Sequence, residues 1–213
     1  MADIFQEVEE DLKRERVELL WKKYGKWVIA AAVAVVLATA GFQLWNNYQQ
    51  TVRSEKSAQF SQAFELSEAG KLDEAKTALA ELAASDDGYG TLARFEQARI
   101  LAEQGDIASA VALWDQIAAS SPPIERLQDV ASLLAVMHLV ETGDVADVKK
   151  RLALLVVPGA AFRYSAIELQ ALVALREDDH TSARSFFQQL VDAPDAPGGI
   201  QSRAAQILET LAE

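Results

Sequence analysis

Apolar residues follow two regimes along this chain. From Trp27 to Trp45 no charged residue occurs, and Val28 to Leu37 is wholly apolar, with Val33, Val36 and Leu37 inside the run and Phe42 and Leu44 extending it. Further on, apolar residues recur at three- and four-residue spacing, the period of a helix with one buried face. Nowhere do β-branched and aromatic residues form alternating runs, so the pattern predicts an all-α protein. It places helices near 51–69, 71–84, 90–104, 106–119, 123–142, 144–156, 161–176, 179–192 and 200–212. Pro122-Pro123, Pro158-Gly159 and the stretch from Pro194 to Gly199 supply breaks.

Four segments align around a turn followed by a small residue and then large apolar ones. The first runs from Gly70 to Ala75, with Leu79 and Leu82 at helical spacing; the second runs from Gly105 to Ala110, with Trp114 and Ile117 at the same offsets. The third runs from Gly143 to Val148, followed by Leu152 and Leu155; the fourth, degenerate, runs from Asp178 to Ala183, followed by Phe187 and Leu190. The starts lie 35, 38 and 35 residues apart. Upstream, Ala63 with Leu66, Ala98 with Leu101, and Ala171 take the small and large sites of a first helix, while Val136 and Leu139 fit more loosely. This pattern resembles the tetratricopeptide repeat, in which a glycine ends helix A and a small residue lets helix B pack closely. No segment carries the full tryptophan-to-tyrosine consensus of that repeat.

The expected architecture is an N-terminal transmembrane helix followed by a tetratricopeptide-like α-solenoid of about four helix pairs. A capping helix containing Ile200, Ala204, Ile207, Leu208 and Leu211 closes it. Each helix pair has an apolar face that it cannot bury alone, so neighbours stack into a curved array whose concave surface binds peptides or proteins. Polar residues able to line the helix-A surface are Gln59, Gln62, Arg94, Gln97 and Arg163, each equally explicable as a solvated position.

For the first apolar run, about 18 residues at ~1.5 Å rise span roughly 27 Å, close to the hydrocarbon thickness of a bilayer. Tyr24 and Trp27 bracket it on one side and Trp45 and Tyr48 on the other, where amphipathic rings favour the headgroup region. Lys13, Arg14, Arg16, Lys22, Lys23 and Lys26 precede the run, whereas only Arg53 and Lys56 follow it closely, which orients the N-terminus to the cytoplasm. The expected organisation is a cytoplasmic segment at 1–26, a span at 27–45 and a domain at 46–213 on the far, periplasm-like side, in a single-pass inner-membrane protein. The competing readings are a buried core helix and a signal peptide cleaved near Ala38-Thr39-Ala40. Before the run, Ile4, Phe5, Val8, Leu12, Leu19 and Leu20 form a broken stripe on a charged segment, suited to a membrane surface, to a cytoplasmic partner or simply to water.

Charge sharpens this division. The chain carries a net charge of −12, and residues 46–213 hold 25 acidic and 14 basic side chains. Such a surface repels phosphate backbones, so nucleic-acid binding is disfavoured and basic or neutral partners are favoured. With no cysteine, a disulfide, a thiolate zinc site and a cysteine nucleophile are excluded. His138 and His180 stand apart from each other and from any metal-spaced or nucleophile-bearing motif. His138 reads as a core or groove residue and His180 as a turn residue. Asp86-Asp87 and Asp178-Asp179 read as helix caps, because no calcium-loop spacing surrounds them. Gly88-Tyr89-Gly90 lacks the Lys-Ser/Thr of a phosphate loop. The sequence therefore predicts no enzyme, cofactor or metal site.

Tyr24-Gly25-Lys26-Trp27, the apolar helix, the stretch from Leu44 to Gln49, and the segment from Tyr89 to Ala98 at the start of a helix pair together resemble a bacterial family. That family is the YfgM-like ancillary subunits of the SecYEG translocon. The longer N-terminal segment and the extended gap before the third repeat depart from its pattern. The resemblance implies a protein beside the translocon that contacts emerging or exported polypeptides and works with a membrane-anchored periplasmic chaperone. The alternative is an anchored repeat scaffold for envelope or cytochrome assembly, which affinity purification with the anchor intact would separate from the first reading.

Overall fold

A computed structural model describes residues 2–120 and 125–212, and every regular element among them is an α-helix. In chain order these are α1 (Ala2–Glu68), α2 (Leu72–Ala83), α3 (Gly88–Glu103), α4 (Ile107–Ala118) and α5 (Glu125–Leu139), then α6 (Val145–Leu155), α7 (Arg163–Arg176), α8 (His180–Asp192) and α9 (Gly198–Ala212). Most boundaries fall within a few residues of those predicted. The break expected at Pro122-Pro123 lies outside the described residues. The separate helix expected to open near residue 51 is instead the end of α1: residues 42–69 contain neither glycine nor proline, so nothing local interrupts the hydrogen-bond ladder.

The chain divides into two compact units, Met1–Glu55 and Lys56–Glu213. In the first, the apolar run belongs to a helix long and apolar enough to cross a membrane, and none of that run is buried by protein. Trp27, Val33, Val36, Leu37, Phe42, Leu44 and Trp45 are each more than half exposed. The side chain of Val28 lies outside the described residues. Thr39, a polar residue in the run, donates its hydroxyl to the carbonyl of Val35 at 2.8 Å, which satisfies it within its own helix.

In the second unit, four hydrophobic clusters follow one another along the chain. Each is built around the second helix of a pair, clasped between the first helix of its own pair and the next helix along. Ala63 of α1 and Ala93 and Ile100 of α3 enclose Ala75, Leu79 and Leu82 of α2. Ala98 and the α5 residues Ala131 and Ala135 enclose Ala110, Trp114 and Ile117 of α4. Val136 and the α7 residues Leu169 and Val173 enclose Val148, Leu152 and Leu155 of α6. Ile167, Ala171 and the α9 residues Ile200 and Ala204 enclose Ala183, Phe187 and Leu190 of α8. The small residue admits the neighbouring backbone, and the large pair fills the space beyond it.

The connectors within pairs show why the repeat period holds. After α1, α3 and α7 the chain turns in three residues through a left-handed position occupied by Gly70 (φ 75°), Gly105 (φ 83°) and Asp178 (φ 60°). The same bonding recurs each time: Gly70 N–H donates to Ser67 and Lys71 N–H to Leu66, Gly105 to Ala102 and Asp106 to Leu101, Asp178 to Leu175 and Asp179 to Ala174, at 2.9–3.0 Å. This double bond to the last turn satisfies carbonyls that the helix leaves unpaired. Asp106, Asp144 and Asp179 then cap α4, α6 and α8 by accepting from the backbone N–H three residues on. Gly143 departs from the role expected of it. The connector after α5 is five residues long, so Gly143 is not left-handed; its N–H donates to Leu139 at 2.7 Å, and a Cβ there would stand 2.7 Å from the Leu139 carbonyl oxygen.

Polar contacts at nearly the repeat interval join successive pairs. Arg151 of α6 forks onto Asp115 of α4 at 2.6 and 3.0 Å, and Arg203 of α9 onto Glu168 of α7 at 2.8 and 2.9 Å. Such bidentate pairs fix orientation as well as adding energy.

Candidate functional site

On the face shared by α1, α3 and α5, three first helices of successive pairs converge on a groove of about 310 Å³. Helical spacing sets its walls: Leu92, Phe95 and Arg99 lie at three- and four-residue steps on α3, and Leu134 and His138 four apart on α5. Phe60 comes from α1, and Trp114 reaches in from α4. Phe60 stacks on Phe64 with centroids 6.4 Å apart and meets Tyr89 at 6.5 Å. Phe64, Leu92 and Met137 remain exposed. The Trp114 ring, 2% exposed, stacks on the exposed His138 at 4.8 Å. Its Nε1 is the one buried side-chain polar atom among the described residues without a hydrogen-bond partner.

Beside this apolar wall stands a charged one. Arg99 forks onto the buried Glu96 at 3.0 and 2.6 Å, donates to Glu103 at 2.5 Å, and reaches the Ser67 hydroxyl at 2.6 Å. Burial pushes the Glu96 carboxyl up, but hydrogen bonds to Arg99 and Ser67 and the guanidinium charge outweigh it, leaving its pKa below the ordinary value. The hydrogen bond to Glu96 raises the pKa of Arg99 against a smaller opposing effect of burial. At the N-terminal end of α3, Lys56 pairs with Asp87, which also caps the helix through Gly90 N–H at 3.0 Å. That lysine contact, working against partial burial, holds the Asp87 pKa down at about 2.

None of the five polar residues read from the sequence lines this groove. Arg94 lies in a separate cavity of about 280 Å³ and donates to the carbonyls of Gly90 and Ser85, bracing the passage from α2 to α3. Gln97 donates to the Lys76 carbonyl at 3.4 Å and Arg163 to the Val156 carbonyl at 3.2 Å, so both serve packing between helices. Gln59 and Gln62 are exposed on α1. Of the residues assigned to repeat packing, Ala75, Ala98, Ala110, Ala183 and Trp114 are buried. The groove residues that the sequence reading passed over had a signal: Phe60 and Phe95 are 35 residues apart, each three before a small helix-A residue, Ala63 and Ala98.

Helix pairs packed in series around small-large-large second helices, with an aromatic groove on the first-helix face, define an α-helical repeat protein. The model of the tetratricopeptide repeat-like domain matches residues 19–210, and the chain belongs to that family. No curated protein and no solved structure matches it. Tetratricopeptide-like domains generally mediate protein–protein interaction.

Proposed function

We propose that this chain is a membrane-anchored protein-binding module, with residues 27–45 spanning an inner membrane, residues 1–26 in the cytoplasm and residues 46–213 in the periplasm. The observation that carries the binding role is the aromatic groove of Phe60, Leu92, Phe95 and Leu134, open on the first-helix face of a tetratricopeptide-like stack. Partly exposed apolar side chains gathered in one concavity favour an apolar partner, since docking removes their remaining surface from water. The charge-free run and the basic residues before it support the anchor and its orientation. The resemblance to YfgM-like translocon subunits supports a place beside SecYEG, assisting exported polypeptides together with a membrane-anchored periplasmic chaperone.

A photo-crosslinking residue in place of Phe95, in the full chain in living cells, tests this. Adducts with translocon components or exported polypeptides are expected, and the same label at the exposed His180 should give few. Absence of such adducts at Phe95 sinks the translocon role. A C-terminal reporter active only in the cytosol overturns the orientation.

A further inference from the structure

The groove's charge is as one-sided as its apolar wall. Arg99 is the one permanent cation among the described lining residues, and it is already engaged by Glu96 and Glu103 while Glu68 lies within its field. Three carboxylates against one guanidinium leave an excess of two negative charges at this end. Glu68 and Glu103 are exposed, so their field reaches into the solvent where an incoming chain approaches. The surrounding residues 46–213, with 25 acidic and 14 basic side chains, reinforce it.

We infer that the groove takes polypeptide segments in which one or two large apolar side chains stand next to lysine or arginine. This rests on the groove being the binding surface. The apolar side chains fill the space between Phe60, Leu92, Phe95 and Leu134, a volume equal to about ten waters' share of liquid and so sized for side chains rather than a folded surface. The basic residue meets the exposed carboxylates of Glu68 and Glu103, each with more acceptor sites than one guanidinium contact can occupy. A second copy of this chain is disfavoured as occupant, because it would bring the same acidic surface against itself.

The test uses the full-length protein in detergent micelles and fluorescence anisotropy of three labelled synthetic peptides. One has a Leu-Phe core flanked by lysines, one has the same core flanked by glutamates, and one keeps the lysines but replaces the core with serines. The lysine-flanked core should bind about tenfold more tightly than the glutamate-flanked one at low salt, attraction on one side adding to repulsion on the other. That gap should close as salt shortens the screening length. The serine peptide should bind far more weakly than either. The double variant Glu68→Gln, Glu103→Gln should narrow the gap to about threefold or less while Phe95→Ala weakens both apolar peptides equally. Equal binding of the two apolar peptides overturns the inference and leaves the proposed groove function standing. Binding of the serine peptide as tight as that of the lysine-flanked core also overturns it, by removing the apolar requirement. Failure of both apolar peptides, together with silence of the Phe95 crosslinker, removes inference and function together.

Discussion

Two helical segments of this protein are rich in the same residues and treat them oppositely. The run at 27–45 and helix α4 are both built of alanine, valine, leucine and tryptophan, yet Trp27 and Trp45 are 66% and 62% exposed whereas Trp114 is 2% exposed. In α4, Ala110, Val111, Trp114 and Ile117 share one face, and Asp115 points away to receive Arg151. The 27–45 run carries no charge anywhere on its circumference, and its apolar window is not buried by protein. A stripe can be buried by one neighbouring helix, whereas a long rod without a charged face is of a composition suited to an apolar solvent. The angular distribution of hydrophobicity, rather than its amount, separates the two.

Reciprocal substitutions break this comparison. Val33→Arg with Val36→Arg places two charges near the middle of the apolar run, at a cost of about 2.5–3.5 kcal/mol each on an insertion scale. The chain should move from the membrane fraction to the soluble fraction on flotation, with the thermal unfolding of the helical stack unchanged. Retention in the membrane fraction would count against the spanning role. Trp114→Ala should do the reverse, destabilising the stack by about 3–5 kcal/mol through the cavity between α3, α4 and α5 while leaving flotation unaltered. Unchanged denaturant stability would contradict the packing described.

Acid separates the units by a smaller effect. The pKa of Asp87 is depressed to about 2 in the fold by its contact with Lys56. The folded state therefore binds this proton less readily than the unfolded one, so the stabilisation is complete above an unfolded pKa near 4 and disappears as pH falls toward 2. After discounting for the solvent around this partly exposed pair, it amounts to about 1 kcal/mol. Wild type should lose this much more stability between pH 5 and 2 than Asp87→Asn, in urea titrations across that range. Parallel curves would show that the pair contributes nothing.

The repeats were legible because burial at fixed offsets leaves a period in the sequence: Ala75, Leu79 and Leu82 of α2 return as Ala183, Phe187 and Leu190 of α8. The groove was not legible from polar residues, because Arg94, Gln97 and Arg163 satisfy backbone carbonyls between helices. Periodicity marks a residue as apolar without saying which neighbour it faces. Phe60 and Ala63 are both apolar on α1, but only Ala63 is fully buried, and Phe60 opens on the groove. Glycine identity misled in a similar way. Gly143 sits where the alignment asks for a left-handed turn, yet the longer connector removes that demand, while Asp178, with no glycine to announce it, meets the demand in full.

That exchange yields the finest test. Asp178 adopts φ 60°, where an L side chain crowds the following carbonyl at a cost of roughly 1–2 kcal/mol, less for aspartate than for most residues. It also places a carboxylate at the C-terminal end of α7, the negative end of the helix dipole. The cap of α8 comes from Asp179, so glycine at 178 loses no capping bond. Against these gains, glycine adds freedom to the unfolded chain worth about 0.5–1 kcal/mol. The balance favours Asp178→Gly by about 0.5 kcal/mol, read as a higher urea midpoint at unchanged slope. Gly105→Ala, at φ 83°, should shift the midpoint the other way by about 1 kcal/mol. If Asp178→Gly lowered the midpoint, the left-handed turn would owe its stability to the aspartate side chain, and the equivalence of the three short connectors would fail.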